Sequence, residues 1–503
     1  KADSRSVLSE SDREYLEDKG IVMSASVREK AFTQRFYLYL IMTKSAEKLY
    51  MSYAVKNSEG AALMPSYIIR SMRKMFSHCL KLSYKDTAQQ NSYVTIPRAA
   101  NSFDNTEIAA NVDEDIIDSL TGGRLVGSVT SFENFAECPL RYYLRYGVDL
   151  KEREEFTFSP VNFGVVLHAV IREVCDEIKK NGESYYLISE EKRREMVKRS
   201  VAAITDIYQN SILKDSSRNS FMIKRMEDLA DRTVWAMGEQ LKCGDFVPFV
   251  FEHKFNMEVG DGDRKQLMSG TIDRVDICEN GTDVYVRIID YKTGKKDFNI
   301  VKTYYGIDIQ LMVYMEAAMK LVAKMRPGKN VIPAGVFYYN ISDPIVSATT
   351  ESAEEIEDKI KGELRLKGMV NSDKDIAEKM DNTEGTSLNI PVSRKADGGF
   401  DSRRSKVMNT EQFNILGRFV DVRAIDTADR IAGGDIRRSP YKDGQFSSCD
   451  RCPYGAVCGF SVDLPGCNYR KLKKFDDEVL WNNIKEGVDE NGKKMDTGAE
   501  ERD

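Results

Sequence analysis

Val284-Tyr285-Val286-Arg287-Ile288-Ile289-Asp290-Tyr291-Lys292 is rich in β-branched and aromatic residues and stops at Thr293-Gly294, so it reads as a strand ended by a turn. Successive strand side chains alternate faces, which puts Asp290 and Lys292 on the same one. That face offers a carboxylate for a divalent cation and an ammonium that can hold or polarise a water. The tripeptide alone is weak evidence, because an acid and a base on one strand face usually form a surface pair. The preceding Gly270-Thr271-Ile272-Asp273-Arg274-Val275-Asp276 reads as a second strand, joined to the first through Glu279-Asn280-Gly281. Asn-Gly is a hairpin turn signal, and hairpin pairing sets Asp273 near Asp290. Two clustered carboxylates are the hard oxygen donors that Mg²⁺ or Mn²⁺ takes. Asp276, an odd number of positions from Asp273, faces elsewhere and reads as a solvated acid or a partner of Arg274.

Downstream, Gly306-Ile307-Asp308-Ile309-Gln310-Leu311-Met312-Val313-Tyr314 has a helical pattern in which Gln310 and Tyr314 share one face. Upstream, Phe163-Gly164-Val165-Val166-Leu167-His168 opens another helix with Gly164 and His168 on one side. Taken singly, the first pair is an amphipathic edge and the second a core histidine. A capped helix start is expected at Ser128-Val129-Thr130-Ser131-Phe132-Glu133.

In order along the chain, Gly-x-x-x-His, Gly-x-Ile-Asp, Asp-Tyr-Lys and Gln-x-x-x-Tyr resemble the RecB-family nuclease module of the PD-(D/E)xK superfamily, over about residues 124–469. Four weak motifs in register make a specific match. The resemblance implies an α/β fold, a mixed central sheet flanked by helices. It implies phosphodiester hydrolysis with Mg²⁺ or Mn²⁺ held by His168, Asp273, Asp290 and the main-chain carbonyl of Tyr291. It further implies that Lys292 orients the attacking water and neutralises phosphate charge, while Gln310 and Tyr314 position the active-site strand or the scissile backbone.

The chain has nine cysteines, an odd number that cannot all pair as disulfides. Cys79, Cys175, Cys243 and Cys278 stand alone and read as ordinary reduced thiols. Cys449-Asp450-Arg451-Cys452-Pro453, followed by Cys458, places three thiolates in one short loop, which zinc and cubane iron–sulfur sites both accept. Spacing leaves the fourth ligand open between Cys467 nearby and Cys138 far upstream, in Glu137-Cys138-Pro139-Leu140-Arg141-Tyr142-Tyr143. A subset of the same family, the AddB-type subunits of bacterial helicase–nucleases, has one Cys-Pro ahead of the nuclease fold and three cysteines after it. That resemblance implies a [4Fe–4S] cluster on Cys138, Cys449, Cys452 and Cys458. Such a staple closes a loop of roughly 300 residues, an entropic constraint worth several kcal/mol.

A chain of 503 residues is too long for one core. Residues 1–83 alternate helical patterns with Phe36-Tyr37-Leu38-Tyr39-Leu40-Ile41-Met42-Thr43-Lys44 and then Lys48-Leu49-Tyr50-Met51-Ser52-Tyr53, a helix leading into a strand. This order resembles the closing segment of a superfamily-one (RecA-like) helicase core. Lys44 stands where such motors carry an arginine on the nucleotide phosphates, and a point charge does not replace that fork. A scaffold without ATP turnover is therefore expected. Residues 84–123 are polar and read as a linker, 350–430 as mainly helical, and 470–503 as a charged tail, mobile or partner-bound. With no initiator Met, the chain is expected to be a piece of a longer polypeptide.

No apolar run nears the roughly 20 residues of a membrane helix, and the thiol pattern points to a reducing cytoplasm. A net charge of −6 argues against indiscriminate coating of nucleic acid but leaves room for a local basic channel. AddB-type resemblance implies a heterodimer with an AddA-type motor subunit, duplex DNA ends as substrate and cutting of the 5′-ended strand. Two rival readings are an iron–sulfur DNA-end-binding scaffold with an unused nuclease site and a stand-alone exonuclease of the same superfamily.

Overall fold

The computed structural model describes residues 10–20, 27–46, 48–55, 62–76, 111–113, 115–116, 126–151, 160–207, 217–259, 266–346, 352–462 and 467–500. The chain divides into two compact units, Lys1–Thr95 and Ile96–Asp503. The first holds α1 (Glu10–Asp18), α2 (Val27–Thr43) and α3 (Tyr67–Met75). α2 is the helix expected before Lys44. The strand expected after it does not form: residues 48–54 have no ladder partner among the described residues. A strand is defined by its neighbours, so apolar β-formers such as Leu49 and Tyr50 stay exposed and outside any strand without one.

The second unit opens with β1 (Val126–Ser128) and α4 (Val129–Glu137), where Ser128 caps the helix by accepting from the Ser131 amide at 3.1 Å. Then come α5 (Pro160–Lys180), α6 (Glu190–Ile207), α7 (Ser217–Lys242), β2 (Val247–Val259), β3 (Gln266–Asn280) and β4 (Asp283–Lys292). After them lie α8 (Ile300–Tyr304), α9 (Gln310–Met325), β5 (Asn330–Asn340), α10 (Ala353–Glu363), β6 (Lys367–Asn371), α11 (Lys374–Met380), β7 (Val407–Met408), α12 (Thr410–Ala432) and α13 (Asp477–Glu500).

A mixed sheet runs β1-β3-β4-β5-β6-β7, with β2 also antiparallel to β3. β3 and β4 form the antiparallel hairpin expected from Asn280-Gly281, and β4 lies parallel to β5. Because parallel strands need a crossover, α8 and α9 bridge them and lay α9 on the sheet. Val284, Val286 and Ile288 of β4 pack into the core under α9, α12 and α13. Tyr285, Ile289 and Tyr291 pack into the opposite core with α5, α6 and α7. A strand covered on both faces explains why its sequence is an unbroken apolar run.

Four expectations need correction or narrowing. The helix carrying Gln310 begins at Gln310, because Gly306 has φ +76° and turns the chain between α8 and α9. Residues 350–430 are less helical than their charge suggests: β6 and β7 edge the sheet, and 381–406 is turns and bridges. The segment read as a tail forms α13, whose Leu480 and Ile484 are buried at helical spacing against Phe419 and neighbours of α12. Sparse apolar residues spaced i, i+4 suffice for one stripe, which average composition conceals. Of the segment read as a linker, only 111–113 and 115–116 are described, and there the Val112 amide donates to the Gly434 carbonyl at 2.9 Å.

Candidate active site and cysteine cavity

The hairpin register ends with Arg274 opposite Ile289, so the next pair is Asp273 opposite Asp290. Both carboxylates lie on the α9 face and are nearly buried, at 7% and 2% exposure. Asp273 Oδ2 accepts from the Tyr291 amide at 2.7 Å, which locks the two strands together at the acids. Asp290 Oδ2 lies 2.5 Å from Lys292 Nζ, the pair that strand alternation anticipated. Burial, reinforced by the nearby Asp273 charge and opposed by Lys292, pushes the Asp290 carboxyl up to about 7.

Gln310, the first residue of α9, joins these groups. Its Nε2 donates to Asp290 Oδ1 at 3.0 Å and to the Tyr314 hydroxyl at 2.9 Å, while its Oε1 accepts from Lys292 Nζ at 3.0 Å. The helical pairing of Gln310 and Tyr314 thus has a physical object, the side chains of the Asp-x-Lys strand. Gly270 leaves room for it, since a Cβ there would meet Phe255 at 2.7 Å and Tyr314 at 3.1 Å.

His168 reaches Asp273 from α5. Its Nδ1 is 3.5 Å from Asp273 Oδ1 and 3.8 Å from Glu252 Oε1, and its ring packs edge-on against Tyr291 at 5.9 Å. Ligand atoms of His168, Glu252 and Asp273 lie within 4.8 Å of one another. One imidazole nitrogen and two carboxylate oxygens, with Asp290 opposite Asp273, are a donor set that fits a divalent cation of the Mg²⁺ or Mn²⁺ kind. Burial opposes a charge on His168, but hydrogen bonds to Asp273 and Glu252 outweigh it and push the imidazole up to about 10.

Sequence reasoning missed Glu252. It sits on β2 at φ +48°, a left-handed conformation unusual for a non-glycine residue, two residues past the register shift between Pro248 and Val250. Such strain persists where surrounding structure fixes it, and it clusters at functional sites. One available signal was an acid inside the apolar run Phe249-Val250-Phe251-Glu252 ahead of Gly270.

Asp276 points to the other face as its parity requires, yet it is fully buried. Arg274 donates to it at 2.7 and 2.6 Å and Arg287 at 2.9 Å. The Arg274 pairing expected from sequence is present. Solvation is not.

At the far end, β8 (Tyr441–Asp443), β9 (Phe446–Ser447) and β10 (Arg470–Lys471) form a small sheet around the cysteine loop. Cys138, Cys449, Cys452 and Cys458 line one cavity of about 70 Å³, and Cys467 is not among its lining residues. Burial pushes the Cys449 thiol up to about 11 and raises Cys138 and Cys458, each sensing other thiols of the four. Cys175 and Cys278 are buried free thiols, Cys243 is half-buried, and Cys79 lies outside the described residues.

Residues 127–459 match the PD-(D/E)XK nuclease superfamily model. The chain is 31% identical to an ATP-dependent helicase/deoxyribonuclease subunit of Clostridium acetobutylicum, over 97% of this chain and 47% of that protein. It is 31% identical to the protein of the same name from Caldanaerobacter subterraneus subsp. tengcongensis, over 99% and 47%. For Lachnoclostridium phytofermentans the values are 30%, 98% and 47%. The chain therefore spans about half the length of the curated relatives it matches. Among the described residues, no helix is long and apolar enough to cross a membrane.

Proposed function

The chain belongs to the PD-(D/E)XK nuclease superfamily, and from that premise we propose that it is the nuclease-bearing portion of an ATP-dependent helicase–deoxyribonuclease subunit that hydrolyses DNA at duplex ends. The observation that carries this reading is the Gln310 bridge. One amide holds Asp290, Lys292 and Tyr314 together beside the His168–Glu252–Asp273 group.

In this reading His168, Asp273, Asp290 and the Tyr291 carbonyl hold the cation, with Glu252 added to the set. A divalent cation in that position supplies charge for the phosphate oxygens and acidifies a water. Lys292 points its ammonium into the same space, where it orients the attacking water and offsets the extra negative charge of the pentavalent phosphate. Attack on phosphorus forms one P–O bond and breaks another, leaving a phosphate monoester and a free hydroxyl. Gln310 and Tyr314 keep the acid and the ammonium in register and need not touch DNA.

The cysteine cavity is proposed to hold a [4Fe–4S] cluster, with zinc as the alternative its donor chemistry permits. The shared cavity supports Cys138 over Cys467 as the fourth ligand. Residues 1–83 are proposed to belong to a helicase-like domain, and a heterodimeric AddA-type partner to supply the motor, in a bacterial cytoplasm. Cutting of the 5′-ended strand is part of the proposal. Degradation of a duplex labelled at one 5′ end, by the full-length subunit with its partner in Mg²⁺ and ATP, tests both activity and polarity. Loss of label as short products supports the reading, and cutting confined to the 3′-ended strand overturns the polarity.

A further inference from the structure

α9 starts without a cap of its own. Ile309 occupies the capping position and has no side-chain acceptor, and the first turn carries no acid. The first amides of any helix need acceptors from outside it. Here they come from 176 residues upstream: Glu133 Oε1 of α4 accepts from the Ile309 amide at 2.9 Å and from the Gln310 amide at 3.0 Å. Burial, opposed by Lys296 and the two amides and reinforced by Asp308, pushes the Glu133 carboxyl up to about 7, so its oxygen serves the start of α9 as an acceptor more than as a charge. Around it, Lys296 pairs with Asp308 at 3.0 Å, and Tyr338 donates to Asp308 at 2.7 Å. Gly306 also closes on α4, since a Cβ there would lie 3.4 Å from Ala136 Cβ.

The C-terminal end of α4 belongs to the cysteine segment. Cys138 follows its last residue, Ser448 Oγ donates to the Glu137 carbonyl at 3.3 Å, and Arg470 donates to the carbonyls of Ala136 and Glu137. α4 is therefore bonded at its C-terminal end to the loop that carries Cys449 and from its middle, through Glu133, to the residue that bridges Asp290 and Lys292.

We propose that Glu133 is a positioning residue: its carboxylate fixes the start of α9, so that Gln310 meets Asp290 and Lys292, and through α4 it ties the nuclease site to the cysteine-bearing segment. This rests on the nuclease reading of the site. Near-attack geometry is sensitive to shifts of about 1 Å, which can cost on the order of 100-fold in rate. Glu133→Asp withdraws the acceptor by one methylene and keeps the charge. Glu133→Gln keeps an acceptor oxygen in place and removes the charge.

Both variants are made in the full-length protein and checked for unchanged circular dichroism and 400 nm absorbance. Amide hydrogen exchange of the 309–313 segment and Mg²⁺-dependent cleavage of an oligonucleotide are then measured. Glu133→Asp is expected to speed exchange at Ile309 and Gln310 and to lower kcat at least about tenfold with KM unchanged. Glu133→Gln is expected to stay within about twofold of wild type on both readouts. Unchanged exchange in Glu133→Asp, or a Glu133→Gln variant as slow as Glu133→Asp, overturns the proposal. The exchange arm decides the inference even if the wild-type protein cuts nothing, which would instead remove the nuclease reading.

Discussion

Replacing Asp276 with Ala should destabilise the nuclease unit severely while leaving cation affinity intact. Arg274 and Arg287 are each 1% exposed and Asp276 is fully buried, so the carboxylate is the anion between two guanidiniums held away from water. It accepts three charge-assisted hydrogen bonds, and burial, joined by the neighbouring Arg274 charge, holds Arg287 below its ordinary value even with Asp276 beside it. Deleting one member of a buried ion pair costs about 3–5 kcal/mol, because the partner charge is left uncompensated. Two guanidiniums are stranded here, so the upper end of that range applies. Whole domains are stable by only about 5–15 kcal/mol. With a urea dependence of about 3 kcal/mol per molar, the unfolding midpoint should fall by roughly 1.5 M. Replacing Arg274, Asp276 and Arg287 together by Met, Leu and Met should recover most of the loss, since apolar groups of similar volume need no counter-charge. Urea unfolding of the single and triple variants, with Mn²⁺ titration of each, reads both effects. A single variant within about 1 kcal/mol of wild type, or a triple variant worse than the single, refutes the argument.

Cation binding should release protons. His168 is raised to about 10 by Asp273 and Glu252, so its imidazolium stabilises the cation-free fold fully below its ordinary 6.5 and loses that contribution as pH rises through about 10. Asp290, raised to about 7, favours its protonated form, a contribution present below 3.8 and lost as pH rises through about 7. Mn²⁺ should thus displace about two protons per site at pH 6 and about one at pH 8.5, measured by calorimetry in buffers of different ionisation enthalpy. Proton release that does not depend on pH contradicts this ligand set. Cys138→Ala should bleach absorbance near 400 nm and make the unit protease-sensitive, whereas Cys467→Ala should do neither. A colourless protein that loses zinc on Cys467→Ala reverses that assignment.

Much of the site was legible because it follows from periodicity. Alternation by two places Asp290 beside Lys292 and turns Asp276 away, and the i, i+4 rule aligns Gln310 with Tyr314. Glu252 escaped because a register shift and a left-handed residue remove it from any regular spacing. Glu133 escaped because its partners are main-chain amides 176 and 177 residues away, which no local pattern encodes. α13 was misread because overall charge hid the Leu480–Ile484 stripe, and β6 and β7 because short edge strands depend on neighbours more than on their own residues.

The central claim, hydrolysis of DNA at a cation site built on the β3–β4 hairpin, is tested most directly by Asp290→Ala. Wild type and variant in the full-length subunit with its partner are compared on an end-labelled duplex, with Mg²⁺ and ATP, alongside DNA binding. Asp290 is buried yet packs through polar contacts to Lys292 and Gln310, so its loss should spare the fold and DNA affinity. Cleavage is predicted to fall by on the order of 10³, and Lys292→Ala should lose rate while retaining more cation affinity. Wild-type cutting by Asp290→Ala, or cutting that survives removal of divalent cations by chelation, would contradict the account.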